Sequence, residues 1–253
     1  MSKAILTDIT MCIGCAECVI ACKREYNLPR DVPRVWQKQD GLSASNWTAI
    51  VSRPPGRHVR LQCRHCLEPA CAAACPVGAL HMTDTGAVVY DQHKCLGCRY
   101  CMMACPFGIP RYDWDRAVPY VRKCIMCFDR LRHGQQPACT AACPTKATIF
   151  GERDALLAEA RRRLAQTPEK YIPKIWGEHE VGGTSVLYLS DIDLGFLAYR
   201  PDLDIALPRT IEAAMKGVAP AFFGMGALLV GLNWIIKRRQ ELHRTKDDNQ
   251  ECA

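Results

Sequence analysis

The chain has 253 residues, of which 49% are apolar and 23% are charged, and its formal net charge is +7. This composition is typical of a folded globular protein and excludes a disordered or low-complexity chain. The 17 cysteines stand out. A chain of this length can build an ordinary apolar core, so it does not need the disulfide framework of a small secreted domain.

Sixteen of the cysteines fall into four groups of four. The first and third groups have the spacing C-x2-C-x2-C-x3-C, which is typical of bacterial ferredoxins. In that motif three thiolates bind one 4Fe-4S cluster and the fourth thiolate binds a second cluster. The other two groups lengthen only the middle gap. The groups are Cys12, Cys15, Cys18, Cys22; Cys63, Cys66, Cys71, Cys75; Cys95, Cys98, Cys101, Cys105; and Cys124, Cys127, Cys139, Cys143.

Structural zinc is the main alternative to clusters. Zinc sites usually combine two separated pairs of ligands around one ion, whereas here three cysteines crowd into a short loop and a fourth trails. Proline follows the last cysteine in three of the groups, while Lys23 follows Cys22. His65 and His93 are interpreted as loop or supporting residues, because cysteines already provide four thiolates for each cluster.

The segment between the second and third groups predicts a hairpin, because short apolar runs flank a turn that ends in Gly86. Ferredoxin domains join their two motifs in this way, so groups two and three form one two-cluster unit and, by elimination, groups one and four form the other. Exchange of the fourth ligand then predicts four 4Fe-4S sites. They are site 1 (Cys12, Cys15, Cys18, Cys143), site 2 (Cys22, Cys124, Cys127, Cys139), site 3 (Cys63, Cys66, Cys71, Cys105) and site 4 (Cys75, Cys95, Cys98, Cys101).

The clusters change the meaning of the positive charge. Four oxidised clusters with their thiolates contribute roughly −8, which leaves the loaded protein close to neutral. A nucleic-acid partner is therefore not expected. Some of the basic residues are expected to balance cluster charge, and the candidates are Lys94, Arg99, Arg122 and Lys123.

After the last cysteine group the pattern predicts an amphipathic helix over 153–165, a strand over 184–189 and an extended linker over 201–208. None of these segments carries a catalytic motif. The chain is therefore predicted to have no active site of its own.

The segment 218–236 has nineteen residues without a charge. As a helix it spans roughly 28 Å, close to the thickness of the bilayer hydrocarbon, so it predicts a transmembrane helix rather than a buried soluble one. Trp234 and the basic run 237–239 follow the pattern of an interfacial anchor. The excess of basic residues on the carboxyl side places the tail in the cytoplasm and the cluster domain in the periplasm.

The amino terminus has no apolar signal region. A periplasmic cluster domain then requires export in the folded state, carried by a partner that bears a twin-arginine signal. The competing arrangement keeps the cluster domain in the cytoplasm, against the charge bias.

These inferences define an α+β fold with two bacterial-ferredoxin-like two-cluster subdomains, one inserted in the other, and a single C-terminal transmembrane helix. The expected bounds are residues 1–60 with 110–150, and 61–109, for the two subdomains. A helix and strand extension with a linker covers 151–210, the membrane helix 211–239 and a charged tail 240–253.

The order of the groups, the runs CIGCAEC and GCRYCMMACPFG, and the segment WGEHEVGGT at 176–184 resemble one family. It comprises the electron-transfer beta subunits of respiratory molybdopterin enzymes and membrane-bound nickel-iron hydrogenases, in particular formate dehydrogenase-N and Hyb-type hydrogenases. In nitrate reductase beta subunits a tryptophan replaces a third-group cysteine. Because Cys98 is present here, the resemblance implies four 4Fe-4S clusters.

The resemblance also implies a path and partners. Electrons would pass from a large catalytic subunit, a nickel-iron hydrogenase or a molybdenum or tungsten pterin enzyme, through sites 1, 2, 3 and 4 in turn. A quinone-reducing subunit of the bacterial inner membrane, either a cytochrome b or a heme-free protein, would accept them. The alternatives are the same relay run from quinol to a terminal molybdopterin reductase, and an iron-sulfur sensor or assembly factor.

Overall fold

The computed structural model describes residues 2–29, 35–37, 40–114, 119–199 and 205–251. The chain divides into two compact units, Met1–Pro208 and Arg209–Ala253. Within the described ranges the strands are β1 (Lys3–Asp8), β2 (Val35–Trp36), β3 (Ala49–Arg53), β4 (Arg57–Leu61), β5 (Leu80–Met82), β6 (Val88–Tyr90), β7 (Arg111–Tyr112), β8 (Val121–Arg122), β9 (Thr148–Glu152) and β10 (Val186–Leu189). The helices are α1 (Glu17–Glu25), α2 (Ala70–Ala73), α3 (Tyr100–Ala104), α4 (Phe128–Arg132), α5 (Ala138–Ala141), α6 (Arg153–Gln166) and α7 (Leu207–Glu251).

The sheet β10-β1-β9 joins the start of the first unit to its end. Strand β1 runs parallel to β10 and antiparallel to β9, with Ile5 opposite both Val186 and Phe150. Successive residues of β1 point to opposite faces, and both faces are covered. One face packs on α6 through an apolar cluster. Its buried members are Ala4, Leu6, Leu156, Leu157, Ala160, Tyr171, Ile175, Leu187 and Leu189.

The other face of the sheet contributes Ile5 and Tyr188 to the largest apolar cluster of the unit. Val51 and Val59 of the β3–β4 hairpin and Met126 of the fourth cysteine group belong to the same cluster. Cysteines from the second and fourth groups also lie in it. The cysteine segments are therefore part of the core and are not appended to it.

The short helices that follow the cysteines pack in pairs, α1 against α5 and α2 against α3. The predicted hairpin is confirmed: β5 and β6 are antiparallel, with Leu80 opposite Tyr90. The helix predicted over 153–165 is confirmed as α6, and the strand predicted over 184–189 as β10.

The described part of the second unit belongs to the helix α7, which begins at Leu207 and continues through Pro220. Its segment Pro220–Arg239 has a mean hydropathy of 1.4 and is exposed, so by length and composition it is a candidate membrane span. The extended linker predicted over 201–208 lies partly outside the described residues. At its end the prediction was wrong, because α7 already begins at Leu207. Cys252 also lies outside the described residues.

Candidate iron-sulfur sites

The four cysteine loops share one backbone conformation. In each group the residue before the second cysteine has a positive φ, namely 72° at Gly14, 48° at His65, 73° at Gly97 and 58° at Met126. This conformation suits glycine and is strained for other residues. Since all four loops adopt it, the second and fourth groups fold like the first and third despite their longer middle gaps.

The shared loop directs backbone N-H groups at sulfur. The N-H of Gly97 donates to Cys95 Sγ at 3.4 Å, and the N-H of Met126 donates to Cys124 Sγ at 3.4 Å. Gly14 makes the equivalent hydrogen bond to Cys12. Such hydrogen bonds stabilise negative charge on sulfur and are one of the means by which a protein sets cluster potentials.

Two pockets bring cysteines of different groups together. Cys143 of the fourth group lines one pocket with Cys12, Cys15 and Cys18 of the first. Cys75 of the second group lines another with Cys95, Cys98 and Cys101 of the third. These sets are the predicted sites 1 and 4.

The thiols of predicted sites 2 and 3 are close enough to shift one another's pKa. Burial raises the pKa of Cys22 to about 12, and the nearby Cys139 and Cys127 add to the shift.

Burial likewise raises the pKa of Cys66 well above its ordinary value, with further contributions from Cys63, Cys105 and Cys71. In both cases the fourth cysteine comes from another group along the chain.

The donor set fits a cluster of several irons. Within the described residues, no three Cys, His, Asp or Glu side chains are close enough to hold one metal ion; the thiols instead surround pockets. Burial raises the pKa of Cys18 and of Cys71 to about 12. Without a compensating positive charge these thiols remain protonated, so iron must provide that charge when they bind it as thiolates.

Thiols of consecutive predicted sites are neighbours. Cys139 of site 2 acts on the pKa of Cys18 in site 1. Burial raises the pKa of Cys124 in site 2 well above its ordinary value, and Cys63 of site 3 adds to this shift. Cys101 of site 4 adds to the rise that burial causes in the pKa of Cys71 in site 3. These electrostatic effects link the predicted sites in the order 1, 2, 3, 4.

The two ends of this row reach the surface. Of the sixteen cysteines in the described chain, only Cys15 in site 1 and Cys98 in site 4 are exposed, while all those of site 2 are buried. Large apolar side chains are exposed in the same two pockets, with Ile13 at 62% beside Cys15 and Leu96 at 70% beside Cys98.

The basic residues expected to balance cluster charge differ in position. Lys123 is buried and donates to the carbonyls of Val88 at 2.5 Å and Cys124 at 3.1 Å. Lys94 lies on the surface, 3.8 Å from Asp91.

Arg99 stacks on Trp114 with its guanidinium carbon 4.5 Å from the ring centre. Arg122 lies 4.0 Å from Asp113. Of the four candidates, Lys123 alone is buried beside cysteines within the described chain.

Sequence reasoning missed two buried arginines, Arg60 and Arg64, which are only 2% and 1% exposed. Arg64 lies over the rings of Tyr188 and Tyr199, at 4.8 and 5.1 Å from their centres. Nothing in the local pattern signals their burial, because arginines are mostly exposed and Arg60 alternates with the apolar residues Val59 and Leu61 of β4.

The histidines fit the role of supporting residues. His65 is fully buried, and its Nδ1 accepts a hydrogen bond from the Val88 N-H at 2.9 Å. This bond fastens the loop of the second group to β6. His93 is exposed, and its N-H donates to Asp91 at 2.9 Å.

A fold that seats cysteine quartets in this way defines a ferredoxin-like iron-sulfur protein. The family model of a 4Fe-4S dicluster domain matches residues 57–153. The chain therefore carries 4Fe-4S clusters.

Known proteins are similar over nearly the whole chain. The hydrogenase-2 operon protein HybA of Escherichia coli O157:H7 is 32% identical over 98% of this chain and 89% of its own length. The iron-sulfur subunit of formate dehydrogenase-O of Escherichia coli K12 is 31% identical over 98% and 90%. That of the nitrate-inducible formate dehydrogenase from the same strain is 36% identical over 81% and 72%. The chain belongs to this family of hydrogenase and formate dehydrogenase iron-sulfur subunits.

Proposed function

We propose that this protein is a non-catalytic relay subunit whose four 4Fe-4S clusters carry electrons from a catalytic subunit to a quinone-reducing membrane subunit. The observation that carries the proposal is the order of the four cysteine quartets, with an exposed cysteine in the quartet at each end and no exposed cysteine in the two quartets between them. A sensor or a single redox centre needs no such row. A relay needs one entry, one exit and short steps between them.

The proposed ligand sets are those of sites 1 to 4, within two interlocked ferredoxin-like subdomains. The pairing of α1 with α5, and of α2 with α3, supports this arrangement. Each pair joins helices that contain cysteines, Cys22 with Cys139 and Cys71 with Cys101. The domain bounds expected from the sequence remain part of the proposal.

Each end of the row offers an apolar surface to a partner. Ile13 lines the pocket of site 1 and Leu96 that of site 4, and Tyr100 and Met103 are exposed on α3, which contains Cys101 of site 4. Following the family, we assign the site 1 end to the catalytic subunit, a nickel-iron hydrogenase or a pterin enzyme. The site 4 end belongs to the membrane subunit, so electrons flow from site 1 to site 4.

The chain's own residues prepare the sites for this task. A bound cluster supplies one-electron redox chemistry. The cysteines would hold it, the N-H groups of Gly97 and Met126 would stabilise charge on sulfur, and the buried cysteines of site 2 would keep water away from its cluster. Dry surroundings and fixed hydrogen bonds set the potentials.

The proposed location is the bacterial inner membrane, with α7 as a single span, the cluster domain in the periplasm and the carboxyl terminus in the cytoplasm. The candidate span and the basic run Lys237, Arg238 and Arg239 at its end support this orientation. A carboxyl-terminal fluorescent fusion that matures only in the cytoplasm tests it. If the fluorescent fusion is dark and a carboxyl-terminal alkaline phosphatase fusion is active, the carboxyl terminus lies in the periplasm and the proposed orientation is wrong.

The function is tested on the complex purified from solubilised membranes. We expect the chain to copurify with a large redox subunit and to contain about sixteen irons, four per cluster. The complex is expected to reduce a quinone analogue with hydrogen or with formate. A chain that purifies alone, or a complex that only oxidises quinol, contradicts the proposal.

A further inference from the structure

Arg60 occupies an unusual position between two of the proposed sites. It lies on β4 opposite Ile50 of β3, and it lines the pocket of Cys12, Cys15, Cys18 and Cys143. It also lies beside Cys139 of site 2. One guanidinium group therefore faces site 1 and site 2 at once.

The guanidinium is isolated from solvent and from carboxylates. Arg60 is 2% exposed, and no aspartate or glutamate of the described chain forms an ion pair with it. Its Nη2 donates to Thr7 Oγ1 at 3.3 Å. An arginine guanidinium keeps its positive charge in proteins, even where it is buried.

A buried cation without a counter-charge is costly. The negative charge that can compensate Arg60 is that of thiolate-bound clusters, each about −2 when oxidised. The backbone around it is held firmly, because Tyr188 donates its hydroxyl hydrogen to the Arg60 carbonyl at 2.8 Å. The side chain is thus fixed at the junction of the two sites.

We propose that Arg60 is a counter-ion shared by the clusters of sites 1 and 2 and that it raises the reduction potentials of both. The inference rests on the proposed function, because it requires clusters at these sites. A reduced cluster carries one more negative charge than an oxidised one, so a fixed cation stabilises the reduced form more. Because one cation shifts both potentials in the same direction, it leaves the difference between them little changed.

The test compares Arg60→Gln, which removes the charge, with Arg60→Lys, which keeps it. Arg57→Gln is the matched control: it lies on the same strand, but its Nε donates to Asp191 at 2.7 Å. Each variant is purified in its native complex. Its clusters are titrated potentiometrically with electron paramagnetic resonance, and its iron and sulfide are counted. Signals of sites 1 and 2 are assigned with Cys15→Ser and Cys127→Ser.

We expect R60Q to retain its iron and to lower both midpoint potentials by at least a tenfold change in the one-electron equilibrium, about 59 mV. R60K should restore most of the shift, and R57Q should cause none. Unchanged potentials in an iron-replete R60Q overturn the inference, and so does an equal shift at all four sites. Wild-type protein without about sixteen irons defeats the proposed function instead. If R60Q loses iron, the neutral Arg60→Met takes its place and is judged by the same outcomes: lowered potentials at sites 1 and 2 support the inference, and unchanged potentials overturn it.

Discussion

In each cysteine loop the residue before the second cysteine must adopt a left-handed backbone conformation. Gly14 and Gly97 have nearly the same φ, 72° and 73°. Their surroundings differ, because a Cβ on Gly97 would meet nothing closer than 3.9 Å. A Cβ on Gly14 would lie 2.7 Å from the His58 ring.

Replacing each glycine by alanine separates strain from collision. We expect Gly97→Ala to lower the stability of the folded protein by about 1 to 2 kcal/mol, because an L-residue is strained in a left-handed backbone conformation. Gly14→Ala is expected to cost more, because the His58 ring must also move. The measurement is the rate at which cluster absorbance is lost in guanidinium chloride. Equal losses in the two variants would show that His58 yields without cost.

At the scale of single residues, the sequence pattern predicted which cysteines are candidate cluster ligands but not which residues surround them. The spacing of Cys12, Cys15 and Cys18 carries a chemical signature that does not depend on the fold. The left-handed conformation of Met126 and the burial of Arg60 depend on contacts between distant segments. No local pattern encodes such contacts, so they appear only in the structure.

Asp8 links strand β1 to helix α6. It is 1% exposed and receives four hydrogen bonds. Thr10 donates to its Oδ1 through the N-H at 3.1 Å and the hydroxyl at 2.6 Å. Arg163 and Tyr171 donate to its Oδ2 at 3.1 and 2.8 Å. The turn held by Thr10 leads directly to Cys12.

Asp8→Asn is expected to destabilise the protein by about 2 kcal/mol, the scale of hydrogen bonds to a charged group. All four contacts are donors, and the asparagine amide would turn an NH2 group toward two of them. Denaturation of the cluster-loaded protein in guanidinium chloride measures the effect. A change below 0.5 kcal/mol, roughly that of an unimportant surface substitution, would contradict this role.

Glu159→Gln is the control for that variant, because it also removes a carboxylate that binds Arg163. Glu159 accepts from Arg162 at 2.7 Å and from Arg163 at 2.8 Å on the solvent face of α6. These hydrogen bonds lower its pKa to about 2. The pair therefore contributes above the ordinary glutamate pKa of about 4.3 and is lost as the pH falls toward 2. Exposure limits the expected cost to below about 1 kcal/mol.

The elements that the sequence predicted are local. The β5–β6 hairpin, α6 and β10 each have a periodic pattern or a turn signal within a few residues. The sheet that holds the unit together was not predicted, because β1 pairs with strands more than 140 residues away. The sequence offers no register signal for pairing over that separation.

At the scale of the whole molecule, the division at residue 208 predicts that the cluster unit can be separated from α7. We expect a chain that ends after Pro208 to be water-soluble when expressed without partners and to keep the iron of the full chain. The full chain is expected in the membrane fraction. The measurement is ultracentrifugation with iron analysis of both fractions.

A chain that ends after Arg239 is the control, because it keeps the candidate span Pro220–Arg239 and loses only the tail. It is expected to remain in the membrane fraction. If the chain that ends after Pro208 also sediments with membranes, the cluster unit binds the bilayer itself and α7 is not the sole anchor.

Because the two exposed ends of the cysteine row are assigned to different partners, a substitution at each end is expected to release a different subunit. A carboxylate buried in an apolar interface without a partner costs several kcal/mol. Ile13→Glu is therefore expected to release the catalytic subunit while the membrane subunit stays bound. Met103→Glu is expected to do the reverse. Met82→Glu is the control, because Met82 is an exposed methionine on β5, away from Cys15 and Cys98 in sequence.

Affinity purification of each variant from solubilised membranes, followed by analysis of its subunits and iron, distinguishes the outcomes. In each end variant the rate of quinone reduction is expected to fall at least tenfold while the iron is kept. A loss of about 1.4 kcal/mol in binding free energy already lowers the affinity for a partner tenfold. The opposite pattern of lost subunits would reverse the assignment of the ends but preserve the relay. Loss of neither subunit would mean that these apolar surfaces are not the docking sites and that electrons enter and leave elsewhere.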